Sequence, residues 1–291
     1  LRGQNNVQGT SDMGAIPMYL TDYRSVEDAE VRGVFEEAWG VALSPTKGLT
    51  TIEIGDAVGR RDVRAMFIMG ENPLMSDPDL NVAREHFNHI DFLAVQDIFM
   101  TETAQIADVV LPAASWAEKD GTFTNTDRRV QRVRPILEPP GDARQDWAII
   151  EELSRRMGYD LGLATPAEIF DEMAQLTPSH AGLSHERLDR DGGIRWPCLD
   201  AHDPGALWLF GDGFPTADGK ATMTPVDWTE NVEIPDDEYP FIFNTGRVLY
   251  HWHTGAISRR SRLDEAYPEP LVEVSPEDAD RLGIPKSGLV R

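Results

Sequence analysis

Three short apolar runs in the first half of the chain each end in a polar or turn residue. They cover residues 65–69, 92–96 and 108–111. Runs of this length predict buried parallel strands, and the helical patterns between them predict a right-handed, layered β–α–β sheet. Ligands bind at the carboxyl ends of the strands in such sheets. The first candidate binding residues are therefore those of two loops at this edge: Gly70, Glu71, Asn72, Gln96 and Asp97.

Helical periodicity and capping signals surround this predicted sheet. The predicted helices cover residues 26–39, 51–58, 78–89, 146–157 and 167–176, with a short one from Thr101 or Thr103 to Ile106. Asp77 is the predicted cap of the helix over 78–89. An aspartate at this position can accept hydrogen bonds from the free amides of the first helical turn, and Pro78 suits the first position of a helix. Residues 117–145 form a predicted extended excursion, in which prolines at 135, 139 and 140 limit strand pairing.

The second half of the chain predicts a change of architecture. Residues 177–240 hold many Gly, Pro and Asp residues and little periodicity, which indicates a linker with surface hairpins. A strand predicted over 239–244, a capped helical turn over 275–283 and a short strand over 288–290 suggest a compact β-barrel. The predicted domains are an α/β domain over 1–200, a linker over 201–236 and a barrel over 237–291. The chain stops inside an apolar run, so we expect it to be a fragment of a longer polypeptide.

The charge balance excludes some classes of function. Asp and Glu total 50 against 27 Lys and Arg, for a net charge of −23. Such a field repels nucleic-acid phosphates, so no nucleic-acid partner is expected. The composition fits either an ordinary acidic cytosolic enzyme or, as we favour, adaptation to high salt, where self-repulsion is screened. No apolar run is long enough to span a membrane and nothing at the start resembles a signal peptide, so a cytoplasmic protein is expected.

Histidine and arginine cluster near residue 250. His251 and His253 follow Arg247 closely and precede arginines at 259, 260 and 262. Guanidinium groups and imidazoles that lie close together can bind a phosphate or pyrophosphate. A charged loop whose arginines lie at an interface explains the pattern equally well. His86 and His89 are either paired metal ligands or, as we favour, exposed helix residues, and no metal ligand is predicted within the chain. The single cysteine, Cys198, excludes an internal disulfide and a cysteine-built cluster.

Several segments together carry a family resemblance. These segments are 1–9, with Arg-Gly-Gln-Asn-Asn, and 12–14, 70–73, 96–104, 107–112, 118–125 and 245–254. In this order they resemble the molybdopterin oxidoreductase family, and the start is most similar to the catalytic subunit of formate dehydrogenases. The resemblance covers the C-terminal part of such a subunit. It implies a parallel Rossmann-like α/β domain followed by a double-psi-like β-barrel that caps the cofactor.

The resemblance also implies a cofactor and its contacts. The cofactor is bis(molybdopterin guanine dinucleotide) with molybdenum or tungsten. Arg2 matches the active-site arginine beside the metal, and Gln4 matches a pterin contact. Asn72, Gln96 and Asp97 match contacts to a guanosine half of the cofactor. From the sequence alone, Asp97 could equally be an aspartate that caps a helix or forms a turn. The other implied cofactor contacts are Gly70, Glu71, Thr101, Lys119, Asp146, Thr245, Gly246, Arg247, Val248, Leu249, His251, His253 and Thr254.

The implied activity is oxidation of formate to CO2, with formate held by Arg2. Electrons would pass through a 4Fe–4S cluster to an iron–sulfur subunit or an NAD- or ferredoxin-linked carrier. The family's metal-ligating selenocysteine or cysteine and its cluster cysteines lie upstream of Arg2, and Thr10-Ser11 stands where relatives often have Ala-Cys. We therefore expect this chain alone to be inactive. The alternatives are a relative of assimilatory nitrate reductase and a non-catalytic homologue like the electron-input subunit of respiratory complex I.

Overall fold

The computed structural model describes residues 2–285 and 287–288. Two compact units make up the chain, Leu1–Asp227 and Trp228–Arg291. The domain limits predicted at 200 and 236 stay predictions. Eight strands lie within the described residues, namely β1 (Tyr19–Leu20), β2 (Arg24–Ser25), β3 (Ala65–Met69), β4 (Phe92–Asp97), β5 (Val109–Pro112), β6 (Gly121–Thr124), β7 (Arg129–Val133) and β8 (Ile194–Arg195).

Eleven α-helices accompany these strands within the same residues. They are α1 (Val7–Asp12), α2 (Ala29–Trp39), α3 (Thr51–Gly59), α4 (Pro73–Ser76), α5 (Leu80–Phe87), α6 (Glu102–Gln105), α7 (Asp146–Arg156), α8 (Pro166–Leu176), α9 (His185–Asp191), α10 (Leu263–Ala266) and α11 (Pro276–Leu282). Short 3-10 helices cover 21–23, 116–118, 178–180 and 258–260. In the part of the chain that is described, every helix is too short or too polar to cross a bilayer.

The predicted parallel sheet is confirmed. Its strand order is β3–β4–β5, with Ala65 opposite Phe92 and Ala94 opposite Val109. Ile68, Leu93, Val95 and Ala104 form its buried core. The prediction that the strands are buried is wrong for β5, which has no buried residue, and for β3, whose side chains alternate between a covered and an open face. Phe67 and Met69 are 43% and 51% exposed on the open face.

The helix predicted over 78–89 is confirmed as the shorter helix α5, and α4 is an additional helix that precedes it. Asp77 precedes a proline and adopts an extended conformation, so it ends α4 and does not begin a helix. The cap of α5 is Asp79, which accepts hydrogen bonds from the amides of Asn81 and Val82 at 3.1 Å each. Helix α2 likewise begins later than predicted, because Asp28 caps it at the amide of Glu30. Helix α3 is capped by Thr50, which forms a capping box with Glu53.

A second sheet occupies the segment that was predicted to pair poorly. Strands β6 and β7 form an antiparallel hairpin, and β8 adds to its edge. The prediction failed because the prolines lie beyond Val133, where β7 has already ended. The prediction of a surface linker is also wrong for residues 177–200. This segment contributes the buried residues Leu183, Leu188, Ile194 and Cys198 to a core with Val130 and Phe170.

The second unit has little regular structure. Ser275 caps α11 at the amide of Asp278, and Gly283 ends it in the left-handed conformation at φ 66°, as predicted. The strand predicted over 239–244 is absent from the described structure, because no neighbouring strand provides its backbone hydrogen bonds. Residues 289 and 290 of the other predicted strand lie outside the described residues. The β-barrel is therefore not confirmed and remains a proposal.

Candidate functional site

The loop after β3 is shaped by one glycine and one buried amide. Gly70 turns the chain in the left-handed region at φ 65°, and its amide donates to the Gln96 carbonyl at 2.9 Å. Asn72 is only 4% exposed. Its Oδ1 accepts from the Thr103 hydroxyl at 2.8 Å and its Nδ2 donates to Glu102 at 2.8 Å. The Asn72 side chain therefore fastens this loop to α6.

The other polar residues of this edge also hold loops in place. Glu71 accepts from the Ser76 hydroxyl at 2.8 Å. Thr101 caps α6 by accepting from the Ala104 amide at 3.1 Å. Asp97 accepts from the Phe99 amide at 3.0 Å, which is the turn role that the sequence had left open. A ligand at this edge would therefore meet loops whose shapes are already set.

The structure brings three predicted cofactor contacts together. They come from the end of β4, from the chain before β6 and from the first turn of α7. Gln96 Nε2 donates to Asp146 Oδ1 at 2.7 Å, and Lys119 Nζ lies 2.5 Å from Asp146 Oδ2. Gln96 is completely buried, and its Oε1 accepts no hydrogen bond from any residue that the structure describes. The Lys119 and Asp146 side chains are 28% and 26% exposed, so this pair presents an ammonium and a carboxylate to a ligand.

Arg2 contacts the Tyr23 side chain. Its Nη1 donates to the Tyr23 hydroxyl, and its guanidinium carbon is 5.3 Å from the centre of the Tyr23 ring. The Tyr23 hydroxyl in turn donates to Asp12 Oδ1 at 2.7 Å. Gln4 lies in the turn before α1, where its carbonyl accepts from the Val7 amide at 3.5 Å. The structure thus gives Arg2 a fixed support.

Asp12 is a buried residue to which reasoning from the sequence gave no role. It is 0% exposed and accepts from the side chains of Gln8, Tyr23 and Trp196. Burial raises the pKa of Asp12 above its usual range, and these hydrogen bonds oppose the rise. The available signal was the spacing of Gln8 and Asp12, which lie four residues apart on one helix face.

In the second unit, His251 organises its own loop. Its Nε2 lies 2.5 Å from the Tyr267 carbonyl and its Nδ1 lies 3.1 Å from the Ser258 hydroxyl. Because a carbonyl can only accept, Nε2 carries a proton, and in a neutral ring Nδ1 then accepts from the Ser258 hydroxyl. The Ser258 hydroxyl also accepts from the Trp252 amide at 3.0 Å. Sequence reasoning missed Ser258, which is 6% exposed.

The remaining predicted residues of this loop are exposed to solvent. They are Thr245, Gly246, Arg247, Val248, Leu249, His253 and Thr254. Arg259 and Arg260 belong to the 3-10 helix that begins at Ser258.

In the first unit, His86 and His89 are half-buried, contrary to the favoured interpretation as exposed residues. Both lie against the end of α3, where His89 Nδ1 is 3.1 Å from the Gly59 carbonyl.

A buried histidine next to the Arg2 support leads to a prediction about pH. His180 is 1% exposed, lies against Trp196, and has a pKa lowered to about 4 by burial. In the unfolded chain, His180 binds a proton near the usual histidine pKa of about 6.5, whereas in the folded chain it stays neutral down to about 4. The folded state is therefore fully stable with respect to this group above a pH of about 6.5, and it loses stability as the pH falls from there to about 4. We expect the free energy of unfolding to fall by about 3 kcal/mol over this range. The measurement is hydrogen exchange of the amides of residues 177–183, corrected for the intrinsic pH dependence of exchange. A His180→Phe variant should lose this dependence, and an unchanged dependence would contradict the assignment.

Comparisons with known proteins extend over the whole chain. The model of the family described as Molybdopterin oxidoreductase matches residues 3–156, and that of the Molydopterin dinucleotide binding domain matches residues 241–291. The F420-dependent formate dehydrogenase subunit alpha of Methanocaldococcus jannaschii is 48% identical over 100% of this chain and 43% of its own length. The F420-dependent formate dehydrogenase 1 subunit alpha of Methanococcus maripaludis is 43% identical over 98% of this chain and 42% of its own.

A solved structure has the same fold. Acetylene hydratase from Pelobacter acetylenicus superposes with a TM-score of 0.65 at 21% identity, over 89% of this chain and 38% of its own. At that identity the likeness concerns the fold alone. The chain spans less than half the length of each of these relatives.

Proposed function

The chain belongs to the molybdopterin oxidoreductase family, and from this membership we propose that it is part of a bis(molybdopterin guanine dinucleotide) enzyme that oxidises formate to CO2. The observation that carries the proposal is its similarity, along its full length, to two relatives named formate dehydrogenase subunit alpha. Molybdenum and tungsten both suit the proposal. A 4Fe–4S cluster and an electron-accepting subunit or carrier complete the proposed enzyme. The names of the relatives add F420 to NAD and ferredoxin as candidate acceptors.

The chemistry of the Gln96–Asp146–Lys119 cluster fits a pterin dinucleotide. Such a ligand carries N–H donors on its heterocycles and anionic oxygens on its phosphates. The Asp146 carboxylate can accept from the former and the Lys119 ammonium can donate to the latter. The free acceptor on Gln96 supports a polar ligand at this cluster, because an unsatisfied buried oxygen is costly.

The other contacts belong to the same proposal. One guanosine half would be bordered by the loops after β3 and β4. These loops contain Gly70, Glu71, Asn72, Asp97 and Thr101, and Asn72 fastens the first of them to α6. In the second unit, Arg247 supplies an exposed cation for phosphate, and His251 holds the surrounding loop. Thr245, Gly246, Val248, Leu249, His253 and Thr254 would line the cofactor through this loop.

The part that we propose for this chain in the reaction is to bind formate, and Arg2 is the residue that binds it. Its guanidinium is a planar fork that can donate two hydrogen bonds to the two oxygens of formate. Because Tyr23 binds one nitrogen of Arg2, the fork keeps one direction and the formate C–H bond keeps one orientation. When bound, the metal and its pterins would accept the two electrons of the oxidation, and the formate hydrogen would leave carbon as a proton or, together with the two electrons, as a hydride.

The proposal is tested on the complete enzyme purified from its source. Metal analysis and nucleotide analysis after acid hydrolysis should give molybdenum or tungsten with guanosine nucleotides in twofold excess. Formate oxidation with an artificial acceptor should accompany them, whereas the 291-residue chain alone should be inactive. Nitrate reduction without formate oxidation would favour the nitrate reductase alternative. A protein without metal and guanosine would be the non-catalytic homologue.

We also propose that the enzyme is cytoplasmic and adapted to high salt. Asp12 is the only acidic side chain that is buried among residues 2–285 and 287–288, so the negative charge lies on the surface. Raising KCl to molar concentration should raise the denaturation midpoint, because the screening length falls to about 3 Å at 1 M. The same series in sucrose serves as the uncharged control. A midpoint that does not rise with KCl would overturn the proposal.

A further inference from the structure

The support behind Arg2 has the properties of a positioning device. We propose that Tyr23 and Asp12 are positioning residues that set the direction of the Arg2 guanidinium and thereby the affinity of the site for a small planar oxyanion. The inference rests on the proposed function, in which Arg2 binds the formate carboxylate. Neither Tyr23 nor Asp12 needs to touch the substrate, since both act through Arg2.

The hydrogen-bond pattern gives the Tyr23 hydroxyl one orientation. A phenol has one proton to donate and two lone pairs to accept with. The proton goes to Asp12 Oδ1 at 2.7 Å, so the lone pairs face Arg2 Nη1 and Gln8 Nε2, the latter at 3.1 Å. Without Asp12 the hydroxyl could rotate and offer its proton to Arg2, which is itself only a donor. The carboxylate therefore determines that Tyr23 accepts from Arg2.

Asp12 is suited to this task because it is buried from water and bonded to three side chains. Its Oδ1 accepts from Gln8 at 2.7 Å as well as from Tyr23, and its Oδ2 accepts from Trp196 at 2.8 Å. A fully buried carboxylate is expensive even with good hydrogen bonds. Its charge also attracts the Arg2 guanidinium, which is a contribution that a neutral side chain would not make.

The backbone that carries Tyr23 is strained in a way that aims its side chain. Asp22 and Tyr23 both adopt the left-handed conformation, at φ 65° and 56°. Two successive residues other than glycine rarely do so, and such strain persists only where the surroundings enforce it. The enforcing contacts come from the segment after α8. Ser179 donates to Asp22 at 2.6 Å, and Thr177 donates to Thr21 at 2.8 Å.

The test measures anion binding apart from turnover, in the complete cofactor-loaded enzyme. Nitrate is planar and carries one negative charge like formate, and in the oxidised enzyme no electrons are available to reduce it. Titration calorimetry of nitrate should give a Kd about tenfold higher for Tyr23→Phe, because one charge-assisted hydrogen bond of Arg2 is lost. The KM for formate should rise by a similar factor, with kcat changed less. Tyr19→Phe is the matched control, since its ring lies edge-on to Tyr23 at 6.2 Å.

A double-mutant cycle with Arg2→Lys separates the possible outcomes. If Tyr23 acts through Arg2, Tyr23→Phe should add no further loss of nitrate affinity in the Arg2→Lys enzyme. Equal losses in both backgrounds, or a Kd for Tyr23→Phe within twofold of the parent, would overturn the positioning role. An Arg2→Lys enzyme with unchanged nitrate Kd and formate KM would instead overturn the proposed role of Arg2. Asp12→Asn, with metal content as a check on folding, should weaken nitrate binding in the same direction.

Discussion

Replacing Arg2 by alanine is expected to lower kcat/KM for formate oxidation by about 10³-fold while the cofactor stays bound. The guanidinium supplies the positive charge and the paired donors for the formate oxygens, and loss of one such donor group costs about 10²–10³ in comparable sites. Among the described residues, the Arg2 side chain hydrogen-bonds to Tyr23 and to no member of the Gln96–Asp146–Lys119 cluster, so metal and guanosine contents should match the parent enzyme.

The comparison that sharpens this expectation is Arg2→Lys. A lysine keeps the charge but presents a single nitrogen, so it cannot form the two parallel hydrogen bonds of the guanidinium. Its activity should lie between those of the parent and the alanine variant. Steady-state kinetics on the complete enzyme, normalised to metal content, provide the measurement. An alanine variant that keeps a tenth or more of the parent kcat/KM would rule out substrate binding by Arg2.

Replacing Arg187 by methionine is expected to destabilise the first unit by about 3–5 kcal/mol, because three hydrogen bonds from a charged donor are lost. Arg187 is 8% exposed, and its Nη1 donates to the carbonyls of Gly182 at 2.6 Å and Asp200 at 2.9 Å. Its Nη2 donates to the Asp203 carbonyl, and Cys198 Sγ lies 3.3 Å from Nη1. Methionine fills a similar volume but donates nothing, so the buried Gly182 carbonyl loses its charged donor and the part-buried Asp200 and Asp203 carbonyls keep only the weak Cys198 thiol.

Arg190 provides the matched control for that substitution. It lies on the same helix, α9, and its ion pair with Asp191 at 2.7 Å is on the surface. Exposed pairs of this kind contribute about 0–1 kcal/mol, so Arg190→Met should have a small effect. Urea unfolding, or amide exchange of residues 178–206, measures both variants. Equal stabilities for the two would show that Arg187 has no structural role.

The sequence predicted those parts of the fold that depend on local signals. The three strands of the parallel sheet lie within one or two residues of their predicted limits, Ser275 caps its helix as expected, and of the two candidates for α6 the cap is Thr101. Each of these depends on residues within a few positions of one another. Asp77 was misassigned because two aspartates flank Pro78 and only the backbone conformation decides between them.

The parts that were missed depend on distant partners. Strand β8 is two residues long and gains its regularity from Arg129 and Val130, more than sixty positions earlier. Asp12 acquires its environment from Trp196, and Arg187 from carbonyls of the following loop. In the candidate site, the resemblance supplied Arg2, Lys119 and Asp146. It did not supply Tyr23, Asp12 or Ser258, whose roles follow from tertiary contacts.

Strand β3 has a consequence for handling this chain on its own. Its outer edge is unpaired within the described residues, it carries no charged side chain, and Phe67 and Met69 are exposed beside it. Such an edge is a template for a strand from a second molecule. The surface charge of the chain holds molecules apart at low ionic strength, and molar salt removes that repulsion. The salt that favours folding should therefore also favour edge-to-edge association, so the isolated chain is best prepared dilute.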